Sequence, residues 1–288
     1  MTAEIKIMQP DNLLVYQKGY TPELIEKLIT NNNLNGLRIF DDLDPLENID
    51  FLNDCFFLKE LSIATRYDFG FDYLKKLPNL TYFSSQVLGT STIDLSNQFN
   101  LERLSLEYDK HKNIIGLENC KKLKRLGLVD FTEKNLCKIK SLITIEALSI
   151  KTSKIESLEG IEQLIKLKKV VLGNCKKLVS VNAMNGLQNL EDVQFDTCIK
   201  IQDYSSLVHL PALTTFRLID CKSVDSISFL DNFPLLSLVS ILGNTDVVDG
   251  DMAPLKRIEK LTYNHLKHYN EKIPTPEADE RLKRNMGK

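Results

Sequence analysis

The sequence lacks an excess of charge of either sign. Its 37 lysines and arginines oppose 39 aspartates and glutamates, a formal net charge of −2. No global field therefore draws the chain to nucleic acid or to an anionic membrane, and only a local patch remains open. It also lacks long apolar runs. No window approaches the ~18 consecutive apolar residues of a membrane-crossing helix, so no membrane span is expected. The opening stretch MTAEIKIMQPDNLLVYQKGY holds neither a basic segment followed by an apolar run nor a small-residue cleavage site. No signal peptide is expected there, and the cytoplasm is the expected compartment. Close cysteine pairs are missing too. Cys55, Cys120, Cys137, Cys175, Cys198 and Cys221 include no CxxC, the spacing that structural zinc wants, so no metal is expected. There is no GxGxxG after a strand, no GxxxxGK[ST], no HExxH and no GxSxG. His265 and His268 are three apart and are read as surface residues of a terminal cap. These absences leave no catalytic group and no cofactor to assign, and the chain is expected not to be an enzyme.

What the sequence does have is repetition. LERLSL from Leu101, LKRLGL from Leu123 and LKKVVL from Leu167 share the pattern LxxLxL. Extended both ways, the pattern starts at 34, 58, 80, 101, 123, 145, 167, 190, 213, 236 and 258, at intervals of 21 to 24 residues. The first, fourth and sixth residues of these units are apolar at 32 of 33 positions, Ser85 being the exception. Positions four and six alternate with polar neighbours, as in a strand with one buried face. One such strand cannot bury its apolar side alone. Stacking the next coil at about 4.8 Å buries it and pairs the backbones, so the pattern predicts a solenoid with a parallel sheet.

The second half of each unit is apolar about every third residue, as in Ile155, Leu158, Ile161, Leu164 and again in Leu178, Val181, Met184, Leu187. That period suits 3₁₀ turns or short helices, and the stripe is read as core. With LSIKTSKIESLEGIEQLIKL, from Leu148 to Leu167, the chain resembles the leucine-rich-repeat family, nearest its 22-residue, internalin-like class. The resemblance covers about residues 34–263. It implies an α/β fold, a right-handed solenoid with a concave parallel sheet and a 3₁₀ or short-helical convex side. The family usually places Asn at the ninth position of each unit. Here that position holds Asp42, Arg66, Leu88, Asp109, Phe131, Ser153, Cys175, Cys198, Cys221, Asn244 and Leu266. Only Asn244 fits the rule. Cys175, Cys198 and Cys221 are 23 apart and are expected to stack as buried thiols, each with a weak S–H donor toward the backbone.

Three segments follow. Residues 1–33 are expected to form an N-terminal cap with a helix near 21–32, N-capped by Thr21, with Pro22 at its first position and Glu23 at the positive end of its dipole. Residues 34–263 form the solenoid of about eleven repeats. Residues 264–288 close the last coil, with a second short helix capped at Thr275 as one option and a frayed tail as the other.

The third, fifth and seventh positions of each unit point outward from the sheet. Position five is mostly small, which leaves a trough. Around it lie Arg103, Arg125, Lys151 and Lys169, then Asp192 and Asp196, then Arg217, with Tyr82 and Tyr108 flanking the basic section. These nine residues are the candidate partner-binding set, because aromatic and arginine side chains are the usual anchors of interfaces. The resemblance implies a non-enzymatic protein-interaction module that binds a partner on the concave face, as an inhibitor, immunity partner or adaptor. The alternatives are nucleic-acid binding through the basic middle repeats, an enzyme whose site is invisible in sequence, and a face whose charges only keep the sheet soluble.

Overall fold

The computed structural model describes residues 5–41, 46–87, 89–108 and 113–274. The chain divides into two compact units, Met1–Val129 and Asp130–Lys288. In the first, strands β1 (Ile7–Met8), β2 (Leu13–Val15), β3 (Gly36–Phe40), β4 (Glu60–Thr65), β5 (Tyr82–Val87), β6 (Arg103–Glu107) and β7 (Arg125–Val129) lie side by side in that order. β1 is antiparallel to β2, and every later pair is parallel. In the second, β8 (Ala147–Lys151), β9 (Lys169–Gly173), β10 (Asp192–Asp196), β11 (Thr215–Ile219), β12 (Leu238–Leu242) and β13 (Lys260–Tyr263) form an all-parallel run.

Each of the eleven predicted units supplies one strand at its third to seventh positions, and register partners hold the same place in successive coils. Ala147 opposes Lys169, Lys169 opposes Asp192, and Asp192 opposes Thr215. All 33 first, fourth and sixth positions are buried, including Ser85. After the strand the chain turns. Asp130, Thr152, Asn174, Thr197, Asp220 and Gly243 occupy the eighth position with φ between 51° and 65°. Each of the first five donates its backbone N–H to a seventh-position carbonyl of the following coil, Asp130 to Lys151 at 3.0 Å and Thr152 to Gly173 at 2.8 Å among them. The far sides of the coils carry 3₁₀ segments, among them Asp50–Asp54 and Asp72–Lys76 in the first unit and Ile161–Gln163, Asn182–Met184 and Ser228–Asn232 in the second. The three-residue apolar stripe packs inward there, as predicted: Ile155, Leu158, Ile161 and Leu164 are all buried.

Helix α1 (Pro22–Asn31) starts as the sequence predicts, with the Thr21 hydroxyl accepting from Leu24 N–H at 3.3 Å. It connects β2 to β3, so the sheet runs two strands beyond the first repeat. Ile25 is its fully buried residue. At the other end, Tyr269 is buried, its hydroxyl accepts from Val247 N–H at 3.1 Å, and Asn270 Oδ1 accepts from Met252 N–H at 3.0 Å. His268 Nε2 lies 3.0 Å from the Val247 carbonyl. Thr275 and the segment after it lie outside the described residues, as do Asp42, Leu88 and Asp109 of the ninth-position series.

The thiol ladder forms. Cys175, Cys198 and Cys221 are fully buried, and their Sγ atoms donate to the carbonyls of Ile150, Leu172 and Phe195 in the preceding coils at 3.9, 3.5 and 3.4 Å. Ser153 starts the series. Its hydroxyl donates to the Phe131 carbonyl at 2.9 Å and accepts from Ile155 N–H at 3.1 Å. Asn244 is a correction, because it is exposed. Its N–H is drawn to Asp220 Oδ1 at 2.8 Å, which holds it at the surface. The next residue, Thr245, takes the buried place. Its hydroxyl accepts from Cys221 N–H at 3.0 Å and donates to the Leu242 carbonyl at 2.8 Å.

Candidate functional site

In the first unit the third positions of β4 to β7 bring Glu60, Tyr82, Arg103 and Arg125 into register on successive strands. Arg103 is the best-held of the four. Its guanidinium donates to Glu60 Oε2 at 2.8 Å and to Asp11 Oδ1 at 3.3 Å, and its Cζ sits 4.2 Å from the centre of the Tyr82 ring. Two carboxylates and an aromatic face thus fix a side chain that would otherwise sample many rotamers. Asp11 arrives from the turn between β1 and β2. Arg125 stands beside Arg103 and forms no ion pair among the described residues. Lys124 next to it is neutralised by Glu102 at 2.9 Å. Glu60, Thr81, Glu102, Arg103, Lys124 and Arg125 line an open cleft of ≈340 Å³. Further along the same strands the fifth position is small: a Cβ at Gly127 would come within 3.2 Å of the Ser105 hydroxyl.

Tyr108 does not join this group. It stands at the eighth position, where the later coils turn left-handed, and instead buries its ring to 3% exposure, with its N–H donated to the Val129 carbonyl at 2.7 Å. It is a core residue.

In the second unit the charges are mostly matched. Asp192 accepts from Lys169 at 2.8 Å and from Arg217 at 2.6 Å, bridging three successive strands. Lys168 pairs with Glu146 at 3.0 Å. Asp196 takes a hydrogen bond from the hydroxyl of its neighbour Thr197 at 2.7 Å. Lys151 is exposed and unpaired among the described residues. The sequence predicted a basic band and an acidic band; here the side chains interleave them. It gave no sign of the partners Asp11 and Glu60, which lie 92 and 43 residues from Arg103.

Four of the buried thiols are held in the protonated form. Burial pushes Cys55, Cys120 and Cys221 up to about 12, and a hydrogen bond from the Cys198 thiol toward Cys175, together with burial, holds Cys198 well above the usual thiol range. Among the described residues, no group of three or more histidine, cysteine, aspartate or glutamate side chains is placed to hold a metal ion, and no helix is long and apolar enough to cross a membrane.

Residues 143–244 match the family of leucine-rich-repeat domains described for endo-β-N-acetylglucosaminidase EndoS. No curated protein matches the chain in sequence. Among solved structures, an internalin from Listeria monocytogenes is similar over 87% of this chain and 86% of its own, at 17% identity and a TM-score of 0.51. The structure of a TLR13–ssRNA13 complex is similar over 91% of this chain and 47% of its own, at 16% identity and a TM-score of 0.50. At such identities the likeness is one of fold.

Proposed function

We propose that this chain, which has a leucine-rich-repeat fold and matches a leucine-rich-repeat domain over residues 143–244, binds another protein on the open face of its strands and carries out no chemistry of its own. One observation carries this reading: Arg125, without an ion pair among the described residues, stands in register beside an Arg103 already locked by Glu60, Asp11 and Tyr82. Two adjacent guanidinium groups repel unless an anion lies between or over them. Arg103 has its counter-ions within the chain, and Arg125 takes its own from a partner's carboxylate. The site costs little entropy to present, because its neighbours are fixed before the partner arrives. Tyr82 and Arg103 supply the rigid wall. The second unit, by itself, presents Lys151, Lys169, Asp192, Asp196 and Arg217 as a charge pattern that selects a partner.

The role we assign is that of an inhibitor, immunity partner or adaptor acting in the cytoplasm. Six free cysteines, five of them buried, suit a reducing compartment. The structure of TLR13 with ssRNA13 makes RNA the natural competing ligand. The pairing of Arg103, Lys124, Lys168 and Lys169 with carboxylates argues against it, since phosphate contacts need cations without counter-ions. A gel shift with single-stranded RNA at low salt tests this directly, and we expect no complex. For the protein partner, affinity purification from the source cells identifies the candidate, and Arg125→Glu weakens its binding. Unchanged affinity sinks this face as the binding surface.

A further inference from the structure

The second unit carries a row of lysines that neither the strand face nor the core uses. Lys154, Lys176 and Lys222 directly follow the buried ladder residues Ser153, Cys175 and Cys221. Lys200 comes two places after Cys198, and Lys177 doubles the charge in its coil. All five are exposed. The ladder positions them: with the preceding side chain drawn into the core, the next residue is turned to solvent. Backbone bonds fix the turns, Lys154 N–H to the Phe131 carbonyl at 3.0 Å and the Lys222 carbonyl to Asp246 N–H at 2.8 Å.

The rim before the strands is treated differently. There Lys168 and Lys169 have carboxylate partners at 3.0 and 2.8 Å, and in mid-strand Arg217 has one at 2.6 Å. On the rim after the strands, none of the five lysines forms an ion pair among the described residues. Successive coils stack at about 4.8 Å, inside the Debye length of about 8 Å at physiological salt, so lysines on neighbouring coils contribute to one positive field. Most carboxylates close in sequence are engaged elsewhere, Glu156 with Lys134 at 3.9 Å among them, and Asp225 near Lys222 is exposed and forms no ion pair among the described residues. Asp220 accepts from Asn244 N–H at 2.8 Å, Asp203 is held by Ser205, and Asp196 by Thr197.

We propose that this lysine row is a second docking surface, and that its occupant is an extended acidic segment of a polypeptide. Four coils span roughly 14 Å, the length of about four to five residues of extended chain, so a short run of Asp and Glu can meet every coil. Lysine ammonium groups are mobile point charges with three donors, and they accept carboxylates in varied orientation. A nucleic-acid strand fits less well. Single-stranded nucleic acid is gripped by aromatic platforms as well as charge, and residues 153–157, 175–180, 198–203 and 221–226 contain no aromatic side chain. This surface does not depend on the binding face of the first unit.

The test is fluorescence anisotropy on the full chain, with a labelled oligoglutamate of about ten residues as probe at low salt. Wild type binds it, and binding weakens as salt is raised. The fourfold variant Lys154→Gln, Lys176→Gln, Lys200→Gln, Lys222→Gln binds at least about tenfold more weakly, from several exposed ion pairs lost together. The control pair Lys138→Gln, Lys140→Gln, exposed lysines of the same unit outside the row, binds the probe as wild type does, which shows that the row and not the charge count sets the binding. Should the fourfold variant lose its fold, the pair Lys176→Gln, Lys200→Gln gives the same loss in smaller measure. No binding by wild type, equal binding by the lysine variants, or preference for a single-stranded RNA of equal length over oligoglutamate overturns the proposal.

Discussion

At the scale of single residues, the solenoid tolerates little because each coil leans on the next. Gly36 opens β3, and a Cβ there would lie 2.0 Å from the Glu60 carbonyl oxygen, a backbone atom that cannot step aside. Gly36→Ala is expected to cost about 1–3 kcal/mol, read as a lower denaturant midpoint. The thiols make a second residue-level prediction. Cys55, Cys120, Cys175, Cys198 and Cys221 are buried, and Cys137 is partly exposed. A maleimide under native conditions should therefore label Cys137 and spare the others until the chain is unfolded. Rapid native labelling of several thiols would contradict the buried ladder. The same burial sets a pH dependence. The folded thiols of Cys55, Cys120 and Cys221 hold their protons up to about 12, against 9.0 for an ordinary thiol. Between those values the unfolded chain releases protons that the folded chain keeps. Stability is then unaffected below pH 9 and falls as pH rises toward 12, and thermal midpoints across that range check the sign.

At the scale of elements, the coil was legible because its burial is local and periodic. First, fourth and sixth positions are apolar and fourth and sixth alternate with polar or small neighbours inside one six-residue window, and no distant partner is needed to see it. The ladder was half legible. Cys175, Cys198 and Cys221 announced themselves by equal spacing, but in the coil from 236 the turn through Gly243 carries the buried role to Thr245, and spacing alone pointed to Asn244. Tyr108 misled for a related reason, since the rule for which residues leave the sheet ends where the strand ends. The site chemistry was least legible. Arg103 is defined by Asp11 and Glu60, which sequence periodicity does not connect to it. The ladder itself can be tested at Ser153, whose hydroxyl serves both the Phe131 carbonyl and the Ile155 N–H. Ser153→Ala leaves both without that partner and should cost about 1–3 kcal/mol, with faster hydrogen exchange at the Ile155 amide. Unchanged exchange would show that water replaces the hydroxyl.

At the scale of the whole molecule, a near-neutral chain distributes its cations unevenly. Several charges on the strand face are matched within the chain, whereas among the described residues Arg125, Lys151, Lys260 and the lysines after the ladder of the second unit form no ion pair. Uneven matching is what a binding protein needs: a neutralised background keeps the surface soluble, and a few unmatched groups decide what adheres. The central claim is that Arg125 anchors a protein partner beside a preorganised Arg103. It is tested most directly by titration calorimetry of the purified partner against wild type and Arg125→Glu. The side chain is exposed, so the fold should be retained. The account predicts at least a tenfold rise in Kd for Arg125→Glu, about 1.4 kcal/mol or more, with thermal stability unchanged. An unchanged Kd would contradict it.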